Sequence, residues 1–241
     1  MDLSGVKLMW CNYPNMPTGA NGSRELFEKL VAFGRRHNIV ICHDNPYSFI
    51  LNDRPLSILS VPGAKEICIE LNSMSKTFNM PGWRIGMVAT NSRFLEWILR
   101  VKSNMDSGMF RPMQLAAVEA LKAPDSWYQR MNEVYRRRRA LAARILELGC
   151  DVRDDQVGMF LWGRVNDTLA AQLTAAGGVP ERCRGKPSAT GVLHQSRVFV
   201  SPGFIFGSEG RNYIRISLCC NEEMLQQALD RITTTRTKQN Q

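Results

Sequence analysis

No stretch of eighteen or more apolar residues occurs in the 241-residue chain, so nothing in it reads as a membrane-spanning helix. The opening residues, Met1-Asp2-Leu3-Ser4-Gly5, lack the basic start and apolar run of a secretory signal, which sets a cytoplasmic expectation. There is no Cys-x-x-Cys pair, and the seven cysteines are an odd number. Cys11, Cys42, Cys68 and Cys150 sit among apolar residues, and the adjacent Cys219 and Cys220 are too close to bridge without strain. Buried free thiols are therefore expected rather than disulfides, with the vicinal pair as core filler. The three histidines, His37, His43 and His194, are scattered, so no metal site is expected. A net charge of +9 raises nucleic acid as a partner, but no helix-turn-helix, zinc or RNP-type pattern accompanies it. Its densest part, Arg136-Arg137-Arg138-Arg139, spreads around a helix instead of forming a stripe, and is read as a solvated face. Repeats and low-complexity segments are also missing. What remains, with 44% hydrophobic and 22% charged residues, is the composition of a soluble globular chain able to bury a core in one or two domains.

The order of elements is informative. Ser23 opens a helix with apolar positions at Leu26, Phe27, Leu30, Val31 and Phe33, closing near Asn38. Short apolar runs, Ile39 to Cys42 and Glu66 to Leu71, read as strands, and Arg84 to Ala89 as a third. Alternation of helices with nearly continuous apolar strands predicts an α/β fold with a mostly parallel sheet. A helix from Phe94 to about Val101 leads into the polar connection Lys102 to Gly108, and Pro112 starts another over Gln114 to Leu121. Asp125 is placed to cap a long amphipathic helix from Ser126 to Leu148, which Gly149 ends. Strands over Val157 to Trp162, Val198 to Val200 and Tyr213 to Leu218 follow, with helices over Leu169 to Ala176 and Glu222 to Ile232 and a frayed tail.

The chemistry concentrates in Ser73-Met74-Ser75-Lys76-Thr77-Phe78-Asn79-Met80-Pro81-Gly82-Trp83-Arg84-Ile85-Gly86. Lysine forms Schiff bases with aldehydes. Hydroxyls, an arginine and glycine-exposed backbone suit a phosphate. An aldehyde and a phosphate on one small molecule point to pyridoxal 5′-phosphate (PLP). Asp44, at the carboxyl end of a strand, is able to pair with a protonated pyridine nitrogen. Tyr47 is placed to bond the ring's phenolic oxygen, and Asn12 to Gly19 forms a turn-rich signal. In α/β sheets ligands sit at strand carboxyl ends, where Asp44 and Lys76 both fall. Each residue also has a plainer reading: Asp44 as a turn cap, Arg84 on the surface, Arg215 in a structural salt bridge, Asn15 as a turn residue.

Four segments, in order, resemble the PLP-dependent aminotransferases of fold type I, class I/II. They are Pro14 to Gly19, Asp44-x-x-Tyr47, Ser73-x-Ser75-Lys76 with Arg84, and Tyr213-Ile214-Arg215-Ile216-Ser217. The resemblance runs from about Leu8 to about Cys220. It implies an amino-group transfer from an amino acid to a 2-oxo acid, with Lys76 forming the Schiff base and shuttling the substrate α-proton. It further implies that Asp44 keeps the ring nitrogen charged, that Tyr47 bonds the ring oxygen, and that Ser73 and Arg84 hold the phosphate. Arg215 would fork the substrate α-carboxylate. Lys102 to Phe110 with Gln114 to Ala117 looks like LL-diaminopimelate-type members of the group.

Two departures qualify the match. Met16 stands where the family has an asparagine that donates to the ring oxygen, and methionine cannot donate. Asn15 is adjacent, offset by one residue. The first motif also begins at residue 14, far earlier than in the family, so the chain reads as a C-terminal portion. A Gly-rich phosphate loop, a ring-stacking aromatic and a tyrosine offered to a neighbouring subunit are then expected upstream. On this reading residues 1–124 are a partial large PLP-binding domain and 125–241 a small domain with its linking helix, in a full-length homodimer. The competing expectations are a non-catalytic PLP-binding module and an inactive fragment.

Overall fold

The computed structural model describes residues 2–166 and 196–239, with side chains as far as residue 235. The helix expected over Leu169 to Ala176 lies outside the described residues. Two compact units form: residues 1–16 with 20–131, and residues 17–19 with 132–241.

Unit one is built on a four-stranded mixed sheet. Strands β1 (Leu8–Asn12), β2 (Val40–Asp44) and β3 (Cys68–Ser73) run parallel in that order, and β4 (Gly86–Ala89) joins β3 antiparallel. Helix α1 (Arg24–His37) starts where the Ser23 hydroxyl accepts from the Leu26 N–H, and ends where Asn38 turns left-handed. It lays Phe27 and Val31 on one sheet face, against Ile41 and Cys68. Because strand side chains alternate, Cys42 and Ile69 face the other way, and Phe94 of α3 (Ser92–Met105) packs there. Between β3 and β4 lies the one-turn helix α2 (Met74–Thr77), and α4 (Arg111–Leu121) adds Ala117 to a cluster with Met74, Phe78, Met80 and Ile85. Trp10, Trp97, Leu99, Val101 and Met105 stand exposed.

Several boundaries differ from the sequence reading for local reasons. Strand β3 starts two residues late, because Ala64–Glu66 folds as a 3-10 turn, and it runs on to Ser73. Strand β4 starts at Gly86, because Arg84 takes a left-handed conformation (φ 52°) at the end of the Pro81–Trp83 turn. The polar stretch after Val101 is helical as far as Met105, where the Lys102 ammonium reaches Asp106 at 2.6 Å.

Helix α5 (Asp125–Glu147) gives its first turns to unit one and the rest to unit two, and Asp125 is its first helical residue rather than a cap preceding it. Unit two holds an antiparallel sheet of β5 (Cys150–Val152), β6 (Phe160–Val165), β7 (Ser201–Pro202) and β8 (Tyr213–Ser217), in the order β5-β6-β8-β7. The strand expected over Val198 to Val200 is thus displaced to Ser201–Pro202. Leu161, Ile214 and Ile216 are buried along with Ala142 and Leu146 of α5, and with Leu225 and Leu229 of α6 (Glu222–Gln239). Helix α6 continues well past Ile232, so the tail is not frayed from that point. Gly203 and Gly210 meet so closely that a Cβ on either would lie within 2.2 Å of the other's carbonyl oxygen.

The arginine run is not the solvated face it suggested. Arg136 is exposed beside Glu133, but Arg137 reaches Glu222 at 2.9 Å and Arg138 donates to the Leu218 carbonyl at 3.1 Å. Arg139 donates to the carbonyls of Gln156 and Asp154. Consecutive side chains on a helix point around it, so three of the four tie α5 to separate segments of unit two. The thiols divide as well: Cys42, Cys68 and Cys150 are buried, while Cys219 is exposed and so is not core filler. Burial pushes the Cys11 and Cys68 thiols up to about 12, which keeps both in the inert thiol form.

Candidate active site

Two neighbouring strands of unit one deliver the candidate residues. Asp44 ends β2 beside Leu71 of β3, and two residues later Ser73 ends β3. Ser73 does two jobs at once: as the cap of α2 its hydroxyl accepts from the Ser75 N–H at 3.1 Å. The half-buried Lys76 follows within that single turn. The chain then returns through Pro81–Trp83, and Arg84 Nη1 donates to the Pro81 carbonyl at 2.8 Å while the guanidinium stays exposed. The Met74 N–H donates to the Ile85 carbonyl at 3.1 Å, closing the loop that carries lysine and arginine.

Tyr47 is buried three residues past Asp44. Partial desolvation pushes the Asp44 carboxyl above its ordinary range, and the neighbouring His43 pulls it down. A carboxylate so placed gains from a cationic partner. An amine, a carboxyl, a phenol, a hydroxyl and a guanidinium thus occupy one unit, at two adjacent strand ends and the segments that follow them. Residue types of this kind suit an aldehyde, a protonated ring nitrogen and a phosphate on one molecule, as PLP has. Among the described residues no cluster of His, Cys, Asp or Glu is arranged to hold a metal.

Asn15 lies in the tight turn before α1, where its N–H donates to the Ala20 carbonyl at 2.8 Å. Asn12, which the sequence reading passed over, does more. Its Nδ2 donates to the Asp44 carbonyl and its Oδ1 accepts from the Met16 N–H, both at 2.8 Å. It therefore fastens the turn of the first motif to the end of β2. The available signal was an asparagine closing an apolar run just before a proline turn.

A second polar group lies on the opposite sheet face. His43 is fully buried, with Nδ1 3.2 Å from Glu70 Oε2 and Nε2 2.9 Å from the Tyr13 carbonyl oxygen. Glu70 Oε2 also accepts from the Ser57 hydroxyl at 2.7 Å and the Ile58 N–H at 2.9 Å, and Oε1 from Asn45 Nδ2 at 3.3 Å. Desolvation pushes the Glu70 carboxyl up, but the bonds from His43, Ser57 and Asn45 outweigh it and leave the carboxyl below its ordinary range.

Arg215 lies in unit two, in the middle of β8, with Trp162 and Ser201 as its register partners. Its guanidinium lies over the rings of Phe160 and Phe206, and Nη2 donates to the Ser201 hydroxyl at 3.2 Å.

The chain belongs to the class I and II aminotransferase family, whose model matches residues 2–232. It is 38% identical over 233 residues to the LL-diaminopimelate aminotransferase of Oleidesulfovibrio alaskensis, covering 95% of this chain and 56% of that protein. The enzyme of the same name from Halothermothrix orenii is 37% identical over 236 residues, covering 97% and 57%. Among solved structures, substrate-bound BacF from Bacillus subtilis superposes with a TM-score of 0.83 at 31% identity, covering 96% of this chain and 56% of that one. A probable N-succinyldiaminopimelate aminotransferase from Thermus thermophilus gives 0.80 at 31% identity, covering 95% and 58%. The chain thus spans a little over half the length of the relatives it matches.

Proposed function

We propose that this chain carries the lysine-bearing part of a PLP-dependent aminotransferase that moves an amino group between an amino acid and a 2-oxo acid. The observation that carries the reading is the placement of Lys76 one turn beyond Ser73, with Arg84 in the same loop, closed by the Met74–Ile85 bond, and Asp44 at the end of the adjacent strand. When bound, PLP supplies an electrophilic carbonyl and an electron-withdrawing ring. The protein's share is positional and electrostatic. Asp44 holds the proton on the ring nitrogen, and Tyr47 donates to the ring oxygen. With Met16 in place of a donor, Tyr47 does so without help from that position. Ser73 and Arg84 fix the phosphate, the Lys76 amine moves the proton at the substrate α-carbon, and Arg215 forks the α-carboxylate.

The activities of the relatives point to a diamino-dicarboxylic acid or its succinylated form as amino donor. They also weigh against a non-catalytic module. We take residues 1–124 as part of the large domain and 125–241 as the small domain, and the whole enzyme as a cytoplasmic homodimer, on the strength of the family likeness. No described helix is long and apolar enough to cross a membrane. The reading is tested by exchange of the substrate α-proton in deuterated water with added PLP. Exchange that requires Lys76 and is abolished in Lys76→Ala is expected; equal exchange by Lys76→Ala would overturn it.

A further inference from the structure

The buried group beneath Asp44 bears on the same site, and the inference drawn from it rests on the role proposed for Asp44. Both ring nitrogens of His43 face oxygen atoms. The Tyr13 carbonyl only accepts, so Nε2 carries a hydrogen. Glu70 receives the Ile58 N–H, the Asn45 amide and the Ser57 hydroxyl, whose own oxygen is occupied by the Leu59 N–H. Surrounded by donors, Glu70 is a carboxylate, so Nδ1 facing it carries a hydrogen too. A ring with both nitrogens protonated is a cation. It is fully buried in an edge-to-face contact with Phe27, at a centroid distance of 4.9 Å.

The charged and titratable groups around it are few. Glu70 faces it from β3, Cys11 lies in register with it on β1 and stays a thiol, and Asp44 follows it on β2. Alternation turns the Asp44 side chain to the other face of the sheet, so the two do not pair directly. Asp44 itself is exposed, so the charge reaches it from the buried side of the sheet while solvent screens it from the other.

We propose that His43 is a positioning residue of the site: a buried, doubly protonated ring whose charge favours the carboxylate form of Asp44 and whose two N–H groups pin the Tyr13 turn to Glu70. The arrangement places a fixed positive charge behind the carboxylate and a fixed negative one, Glu70, farther along the row. Asp44 is thereby kept ready for a cationic ring nitrogen.

The test uses the three histidines as probes. In the 15N-histidine-labelled chain, studied by magic-angle-spinning NMR of sedimented protein, His43 is assigned by difference against His37→Gln and His194→Gln. Two protonated ring nitrogens at pH 7.5 are expected; one bare nitrogen overturns the proposal. His43→Gln keeps a donor toward the Tyr13 carbonyl and removes the charge. In 13C-aspartate spectra the Asp44 midpoint should then rise by about one unit, as for loss of a nearby opposite charge. An unmoved midpoint contradicts the electrostatic role. Should that variant fail to fold, Glu70→Gln decides: His43 should lose one ring proton at the same pH, and an unchanged ring overturns the pairing. None of these signals needs cofactor. A doubly protonated His43 without cofactor capture at Lys76 counts against the functional reading alone. A singly protonated ring with capture intact counts against this inference alone.

Discussion

The guanidinium carbon of Arg215 lies 4.3 Å from the ring centroid of Phe160 and 4.8 Å from that of Phe206, so the cation is over two aromatic rings at once. Contact with both rings holds the guanidinium in place, and a lysine ammonium offers neither its plane nor its fork. Arg215→Lys should therefore weaken binding of α-carboxylates by about 1–3 kcal/mol, in the range of charge-assisted hydrogen bonds. Cofactor absorbance should remain unchanged. Titration calorimetry with a substrate analogue measures the first and a spectrum the second.

Trp127, on the first turn of α5, donates its indole N–H to the Thr77 carbonyl at 3.2 Å, and the ring of Tyr128 approaches Phe78 at 6.3 Å. The turn that carries Lys76 is thus held from outside by the start of the long helix. Trp127→Phe keeps the ring and deletes the donor, at a cost of about 0.5–1.5 kcal/mol in denaturant unfolding. Amide exchange should quicken at residues 76–78 while that of α1 stays as it was.

The arginine run offers a comparison within four residues. Arg139 spends its guanidinium on two backbone carbonyls, and desolvation pulls its pKa below the ordinary value. Arg136 makes an exposed pair with Glu133. Arg139→Ala should destabilise by roughly 1–3 kcal/mol, since it strands partly buried carbonyls, and Arg136→Ala by less than about 0.5 kcal/mol. Chemical denaturation of the two variants distinguishes them.

Glu70 should contribute to the acid limb of stability. Its carboxyl lies below its ordinary range in the folded chain, so the unfolded chain binds the proton more tightly. The stabilisation is present above the ordinary glutamate range and is lost as pH falls through the lower, folded value. Glu70→Gln should lower stability at pH 7 on the order of 3 kcal/mol, as for a buried pair deprived of one partner, and flatten the dependence below the ordinary glutamate range. Unfolding curves from pH 3 to pH 7 give both results.

The chemistry of the lysine segment was legible because it is local. Ser73, Lys76 and Arg84 lie within one loop whose residue types already imply an amine beside a phosphate. Asp44 and Tyr47 were legible because they follow an apolar run. What escaped joins distant positions: Asn12 to Asp44 across 32 residues, His43 to Glu70 across 27, Trp127 to Thr77 across 50. No periodicity signals such a bond, since it depends on which strands become neighbours. Most of the arginine run was misread for the same reason, the partners of Arg137, Arg138 and Arg139 being a carboxylate and carbonyls elsewhere in the chain. Strand β4 was found but not its direction, which follows from the left-handed turn at Arg84.

The central claim, that Lys76 is the residue that captures PLP, is open to one direct measurement. The chain is mixed with PLP, treated with borohydride, digested and read by mass spectrometry. The account predicts a reduced pyridoxyl adduct on the peptide containing Lys76, and its loss in Lys76→Ala. Adducts spread over other lysines, with Lys76 unmodified, would contradict it.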